Sequence, residues 1–175
     1  WDVYGGTIPG QFEPAILKGV NDVMQSGPIA GFPMQDVKCS VYDGKHHPVD
    51  SKEVAFRAAG KGAFIDAIRK AKPALLEPIV NMEVTIPAEN VGDIAGDLSS
   101  KRGRVIGQDM LPGNFIVIKA QAPLSEVSQY TSQLKSVTGG RGSFSMTLSH
   151  YEPVPPNVQQ QIVALYGKKK EEEEE

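Results

Sequence analysis

The residues best suited to chemistry in this chain are its three histidines and its single cysteine. Adjacent residues of an extended segment point to opposite faces, so His46 and His47 cannot readily bind one metal ion. The third histidine, His150, lies far along the chain. Cys39 falls in the alternating run Val37–Val41, which predicts a half-buried strand and a packed thiol rather than a nucleophile. We find no catalytic constellation and predict no metal site.

The histidine pair lies in a polar turn, Tyr42–Pro48, which leaves two interpretations open. The turn is either exposed and without function, or it is an aromatic and partly cationic tip that stacks on RNA and hydrogen-bonds to it. Composition alone favours the first interpretation.

Sequence motifs of common enzymes are absent from these residues. Gly60-Lys61-Gly62 has neither the spacing nor the preceding strand of a phosphate-binding P-loop. The G-x-S-x-G and H-E-x-x-H patterns do not occur. We therefore predict no enzymatic activity for this stretch by itself.

A repeated stretch predicts the architecture of the second half of the chain. Val80–Met110 and Ile116–Met146 align at an offset of 36, and one inserted residue brings Gly103-Arg104 onto Gly140-Arg141. Each copy reads as strand, proline turn, amphipathic helix, Gly-Arg turn and strand. Two such units in tandem predict a split βαβ, ferredoxin-like sheet.

The Gly-Arg turns place basic side chains at equivalent corners of this predicted domain: Lys101, Arg102 and Arg104 in the first, and Arg141 in the second. Glycine lets a backbone approach a partner, and the planar fork of arginine matches phosphate. Such turns are equally common as solvated corners, so both interpretations stay open. A sheet-face RNA binder would need aromatic residues on its central strands, and in Phe115–Ile118 only Phe115 qualifies.

Helical periodicity occurs three times outside the repeat. It predicts helices over Glu13–Gln25, from Ser51 to about Ala71, and after Pro155-Pro156. The second of these should bury Val54, Ala55, Ala58, Phe64, Ile65 and Ile68. The segment Lys72–Pro78 precedes the repeat directly and is the predicted domain junction.

Length and charge limit the possible classes of protein. The 175 residues carry a net charge of −3, and without the last eight, KKKEEEEE, the charge is −1. A nearly neutral body means that RNA affinity must come from local patches. We predict a disordered charged tail over 168–175, no membrane span and no signal segment. A single cysteine indicates a reduced, cytoplasmic setting.

Several long stretches, in order, resemble the elongation factor G family of translational GTPases. They are GGTIPGQFEPAILKGV, SGPIAGFPMQDVKCSVYDG, HHPVDSKEVAF, LLEPIVNMEVTIPAENVGDIAGDL, SSKRGRVIG and GRGSFSMTLSHYEPVP. The resemblance implies an α+β fold of two small domains. Residues 1–74 would be an incomplete, ribosomal-protein-like βαβ domain, the later part of the family's fourth domain, and residues 75–167 the ferredoxin-like fifth domain.

The resemblance also implies roles for residues. His47 matches the tip histidine that the family places in the decoding centre, and the RNA-contacting set becomes Tyr42, Asp43, Gly44, Lys45, His46 and His47. Lys101, Arg102, Arg104 and Arg141 would dock on the ribosome. GTP and Mg²⁺ would bind a GTPase domain outside these residues, so no cofactor is expected here. The partners would be ribosomal RNA and proteins and the tRNA–mRNA duplex, contacted by a monomer.

One departure from the family pattern keeps alternatives open. Where the family has a Ser-Tyr-His-acidic run, this chain has Lys45-His46-His47-Pro48. A ribosome-recycling or tetracycline-protection paralogue would share the fold. A small acylphosphatase-like enzyme on the ferredoxin-like half would need Asn90 or Asn114 beside an arginine. A free-standing RNA-binding module is the third alternative, and the near-neutral body argues against it.

Overall fold

The computed structural model describes residues 1–47 and 52–173, with side chains in the last helix described through Tyr166. It divides into two compact units. Unit 1 comprises Trp1–Ala74 and Pro155–Glu175, and unit 2 comprises Leu75–Val154. No helix among the described residues is both long and apolar enough to cross a bilayer.

Unit 1 is built on two helices, α1 (Glu13–Ser26) and α2 (Glu53–Lys70), at the predicted positions. Glycines let their backbones approach closely. A Cβ added to Gly19 would lie 2.2 Å from the Arg57 carbonyl oxygen, and one on Gly60 would lie 2.9 Å from the Ile16 carbonyl oxygen. The helices bury two apolar clusters: Ile8, Phe12, Ile16 and Phe56, and Val20, Val23, Phe64 and Ile68.

The buried face of α2 differs from the predicted one. Phe56, Gly60, Phe64 and Ile68 are buried at a spacing of four, whereas Val54 is 78% exposed. Ala55 and Ala58 are exposed as well, and Ile65 is half-buried. The prediction is confirmed for Phe64 and Ile68. It was wrong for the first half of the helix because it followed apolar side chains alone, whereas the close approach at Gly60 turns its own face of the helix towards α1.

The predicted strand Val37–Val41 is not formed in the described residues. Asp36–Tyr42 takes no regular secondary structure, and its one backbone bond to the start of the chain runs from the Asp2 N–H to the Val41 carbonyl, 2.8 Å. A strand needs a ladder of such bonds. Cys39 is consequently exposed, not packed as predicted.

The terminal helix α6 (Pro156–Glu173) begins at the predicted prolines and groups with unit 1. Tyr166 packs edge-on against Phe32 with 4.9 Å between ring centroids, and the Gln159 side chain donates to the Pro73 carbonyl at 3.1 Å. The sequence-based boundaries differ: they attach this helix to the second domain and leave 168–175 disordered. The described backbone is helical through Glu173, consistent with the helix propensity of Lys and Glu.

Unit 2 confirms the ferredoxin-like prediction. Its strands are β1 (Leu76–Pro87), β2 (Arg104–Leu111), β3 (Phe115–Pro123) and β4 (Ser143–Pro153), in the antiparallel order β2-β3-β1-β4. The helices α3 (Val91–Ser100), α4 (Leu124–Val127) and α5 (Tyr130–Val137) follow β1 and β3, as the repeat requires.

One face of this sheet and the helices form a single core. Its buried members are Val80, Met82, Val84, Ile86, Ile94, Leu98, Ile118, Ala120, Ala122, Val127, Tyr130 and Leu134. The even-numbered positions of β1 point into this core because strand side chains alternate. The opposite face of the sheet carries polar residues at Asn81, Glu83, Lys119 and Gln121.

Candidate nucleic-acid interface

The 42–47 segment is held against the first residues of unit 1. The His46 Nδ1–H donates to the Thr7 carbonyl at 3.1 Å, which assigns that ring nitrogen as the protonated one. Gly44 lies so close to Ile8 that an added Cβ would come within 2.4 Å of its Cδ1. Sequence reasoning missed Thr7 and Ile8 as anchors, because contacts made so far apart along the chain leave no periodicity.

The outward side of the segment presents mixed chemistry. The Tyr42 ring is 76% exposed, and the side chains of Lys45 and His47 are also exposed. The Asp43 carboxylate accepts the Gly44 N–H at 2.7 Å. A phenol ring, an ammonium and an imidazole on a positioned segment can stack on bases and hydrogen-bond to phosphate or ribose. Pro48 lies outside the described residues.

A cavity of about 400 Å³ lies between the helices of unit 1 and residues 39–45. Its apolar walls include Ile8, Ile16, Val20, Phe56 and Phe64. The segment that carries the turn therefore spans an apolar hollow instead of packing as a strand on the helices.

Arg102 occupies the turn between α3 and β2 in the left-handed conformation, with φ 57°. Its counterpart in the repeat, Gly139, has φ 60°. Non-glycine residues disfavour this conformation. Here the guanidinium donates to both oxygens of Glu77, at 2.7 and 2.9 Å, and through Nε to Glu126 at 3.0 Å. The hydrogen bond with Glu77 raises the pKa of Arg102, aided by Glu126.

Two more of the predicted docking cations also face carboxylates. Lys101 Nζ lies 3.8 Å from Asp97 Oδ1, one turn earlier on α3. Arg141 forms an exposed ion pair with Glu89. The repeat located these corners correctly, but nothing in the spacing of the residues pointed to the acidic partners.

Arg104 differs from the other three predicted cations. Its Nη2 donates to Gln121 Oε1 at 3.0 Å, and no carboxylate of the described chain lies within ion-pair distance. Gln121 in turn donates to Asn81 Oδ1 at 2.9 Å and to Ser149 Oγ at 3.5 Å. A chain of side-chain hydrogen bonds thus crosses all four strands on the open face of the sheet, and Arg104 begins it with its charge uncompensated.

The structure places His150, Asn90 and Asn114, the other polar residues considered for chemistry, in unit 2 and away from segment 42–47 in sequence. His150 contacts Ser149 at 2.8 Å and Glu152 at 2.7 Å, in unit 2. The Asn90 amide donates to the Val137 carbonyl at 3.3 Å, and Asn114 lies in the turn between β2 and β3 with φ 62°. Among the described side chains, which cover 1–47 and 52–166, no group of three or more metal-ligating residues is present.

Two family profiles together cover most of the chain, and the second extends past unit 2 into α6. The family profile described as "Elongation factor G, domain IV" matches residues 2–72, and "Elongation factor G C-terminus" matches residues 74–162. The chain is 47% identical over 162 residues to "Elongation factor G" of Aquifex pyrophilus, covering 93% of this chain and 23% of the relative. It is 41% identical over 172 residues to "Elongation factor G-like protein" of Thermotoga maritima, covering 98% and 25%.

A solved crystal structure of a protein from Thermus thermophilus is also similar. It superimposes with a TM-score of 0.78 at 40% identity, covering 96% of this chain and 25% of the other. The chain thus spans about a quarter of the length of the relatives it matches.

The ferredoxin-like unit, the helical unit and these matches together define part of a translation elongation factor. The chain belongs to the elongation factor G family.

Proposed function

We propose that this chain is the ribosome-contacting part of a GTPase that promotes GTP-dependent movement of tRNA and mRNA. Family membership supports a role in translation. GTP and Mg²⁺ would act in another part of the longer protein, which would work as a cytoplasmic monomer. In this proposal the described units perform recognition and no hydrolysis.

The positioned segment at 42–47 carries this proposal. Thr7 and Ile8 hold the inner side of the turn through His46 and Gly44, while Tyr42 and His47 face outward. A tip fixed in this way loses little conformational freedom on binding, so its contacts are efficient. We assign Tyr42, Asp43, Gly44, Lys45, His46 and His47 to the decoding centre and the tRNA–mRNA duplex.

Unit 2 would supply docking contacts of unequal strength. Arg104 offers an uncompensated charge, whereas Lys101 and Arg141 would have to exchange a carboxylate for a phosphate. Arg102, bound by two carboxylates, supports the fold of the turn and contributes least to docking.

The test is His47→Ala in the full-length protein. We expect single-turnover translocation to slow by about tenfold, equivalent to about 1.4 kcal/mol of transition-state stabilisation. Ribosome-stimulated GTP hydrolysis should stay largely intact. Gln25→Ala, an exposed change on α1, is the matched control. An unchanged translocation rate in the His47 variant would count against the assigned role.

A second candidate is a ribosome-recycling or tetracycline-protection protein with the same fold. The run Lys45-His46-His47-Pro48 departs from the pattern that the family resemblance implies, and one relative is named only elongation factor G-like. Subunit splitting or tetracycline release by the full-length wild type, without translocation, would establish this alternative.

A further inference from the structure

The end of α2 carries three exposed cations within four residues: Arg69, Lys70 and Lys72. Within the described chain, none of them lies within ion-pair distance of a carboxylate. The nearest acid along the helix is Asp66, which is exposed and has no ion pair among the described residues either. The cluster therefore keeps a local excess of positive charge in a chain whose net charge is −3.

The lack of a carboxylate partner separates the cluster from three of the four predicted docking cations of unit 2; Arg104 is the exception. Affinity for RNA comes largely from cations that neutralise phosphates and release counterions. Lys101, Arg102 and Arg141 are already neutralised by carboxylates. A cation with no partner contributes its full charge to such binding. The three residues at the end of α2 meet this condition within the described chain.

The described start of α6, which contacts the chain next to the cluster, adds no negative charge. The Pro73 carbonyl, next to Lys72, accepts a hydrogen bond from Gln159 of α6. The residues of α6 that begin here are neutral, with three successive glutamines at 159–161. Compensation of the helix dipole explains basic residues in the last turn, which covers Arg69 and Lys70. It does not explain Lys72, which lies past the helix at φ 52°.

We propose that Arg69, Lys70 and Lys72 form a contact surface for backbone phosphates of ribosomal RNA; the identity of the RNA rests on the proposed function. The cluster has no aromatic or amide side chain to read bases. Contacts to phosphates position a protein without reading sequence. The surface therefore holds unit 1 on RNA and does not select a sequence.

The experiment measures binding of the full-length protein to purified bacterial ribosomes over a series of KCl concentrations. The variant Arg69→Gln, Lys70→Gln, Lys72→Gln should lower the slope of log affinity against log salt by about 2–3, since each phosphate contact contributes about 0.7–0.9. Lys18→Gln, Lys61→Gln, Lys135→Gln removes the same charge from exposed sites elsewhere. This control should change the slope by less than half as much.

Two further variants separate charge from folding. Arg69→Lys, Lys70→Arg, Lys72→Arg keeps the charge and should keep the wild-type slope. Lys72→Gln alone lies outside the helix and should lower the slope by about 0.7–0.9 even if the triple variant unfolds. An unchanged slope in the glutamine variants, or an equal fall in the control, overturns this inference alone. A wild type that does not bind ribosomes overturns the proposed function with it.

Discussion

The apolar core is more completely enclosed in unit 2 than in unit 1. In unit 2, helices and a four-stranded sheet enclose one core, and Val84, Ile86 and Leu98 are fully buried. In unit 1, α1 and α2 pack on each other, and residues 39–45 cross an apolar cavity of about 400 Å³ without forming a strand. All four strands of unit 2 find their partners within residues 76–153, because the repeat supplies them. In contrast, Val37–Val41 has no strand partner in the described residues.

We expect the largest difference between the two units in hydrogen exchange of their backbone amides. Strands β1 and β3 each have a hydrogen-bonded neighbour on both sides. Their amides should therefore exchange only through global opening of unit 2. Those of α1 and α2 should open at a free energy lower by about 3 kcal/mol or more, a ratio above about 100-fold. Mass spectrometry of peptides from 13–26 and 76–87 measures both. Comparable protection in the two units would remove the contrast.

A single added methyl group should disrupt the packing of α1 on α2 in unit 1. Gly19→Ala places a methyl group 2.2 Å from the Arg57 carbonyl, and rigid backbone cannot yield cheaply. We expect a loss of about 1–3 kcal/mol in the free energy of unfolding of unit 1. Gly62→Ala is the control: it has open space, and better helix propensity should add up to about 1 kcal/mol. Urea denaturation followed by circular dichroism checks both, and similar effects would show that the helices are not in close contact.

The α3–β2 turn of unit 2 should depend on Arg102. Arg102→Ala leaves Glu77, only 12% exposed in its side chain, without its bidentate partner. An unpaired, largely buried carboxylate costs about 1–3 kcal/mol. Arg104→Ala, which breaks a bond to the neutral Gln121, should cost less than about 1 kcal/mol. Denaturant midpoints of the two variants give the comparison. A greater loss in the Arg104 variant would reverse the structural ranking of these arginines.

The smallest effect at neutral pH is expected for Tyr130→Phe in the core of unit 2. The Tyr130 hydroxyl is buried and has no hydrogen-bond partner in the described chain. Burial, and then the charge of Asp97, raises its pKa above the ordinary value of 10.0. A raised pKa means that the stabilisation of the neutral phenol is complete below about pH 10 and is lost as the pH rises further.

At pH 7 the Tyr130→Phe variant should therefore match the wild type within about 1 kcal/mol. Above about pH 10 it should be the more stable of the two, because phenylalanine has no proton to lose. Thermal melts over this range test the difference. Tyr151→Phe, at an exposed side chain, serves as the control and should keep the alkaline loss of the wild type.

Sequence reasoning succeeded where local patterns determine structure. The repeat predicted the β1–α3–β2 and β3–α5–β4 order because turn prolines and Gly-Arg corners recur at a fixed offset. It failed for the first half of the buried face of α2, where the contact at Gly60 outweighs apolar periodicity, although Phe64 and Ile68 are buried as predicted. It failed again at Val37–Val41, because an alternating pattern states which residues could line a sheet face and not whether a partner strand is present.

The candidate site shows the same division. The segment 42–47 was proposed from its residue types and from the family resemblance, and its role stays a prediction. Its anchors at Thr7 and Ile8, and the carboxylates that engage Lys101, Arg102 and Arg141, were not visible in the sequence, since they depend on contacts distant in sequence. The number of basic residues in the sequence therefore overstates how many cations are available to bind phosphate, since several form ion pairs in the folded chain.

The hydrogen-bonded chain from Arg104 through Gln121 to Asn81 and Ser149 also bears on aggregation. Strand β4 is an edge of the sheet, and exposed edges pair readily with other molecules. Ser149 lies at the register irregularity between β1 and β4, and a slip of β4 by one residue would displace it and break its contact with Gln121. The polar face thus makes mispaired forms of unit 2 energetically distinct from the native one, and it should slow domain exchange between copies at high concentration.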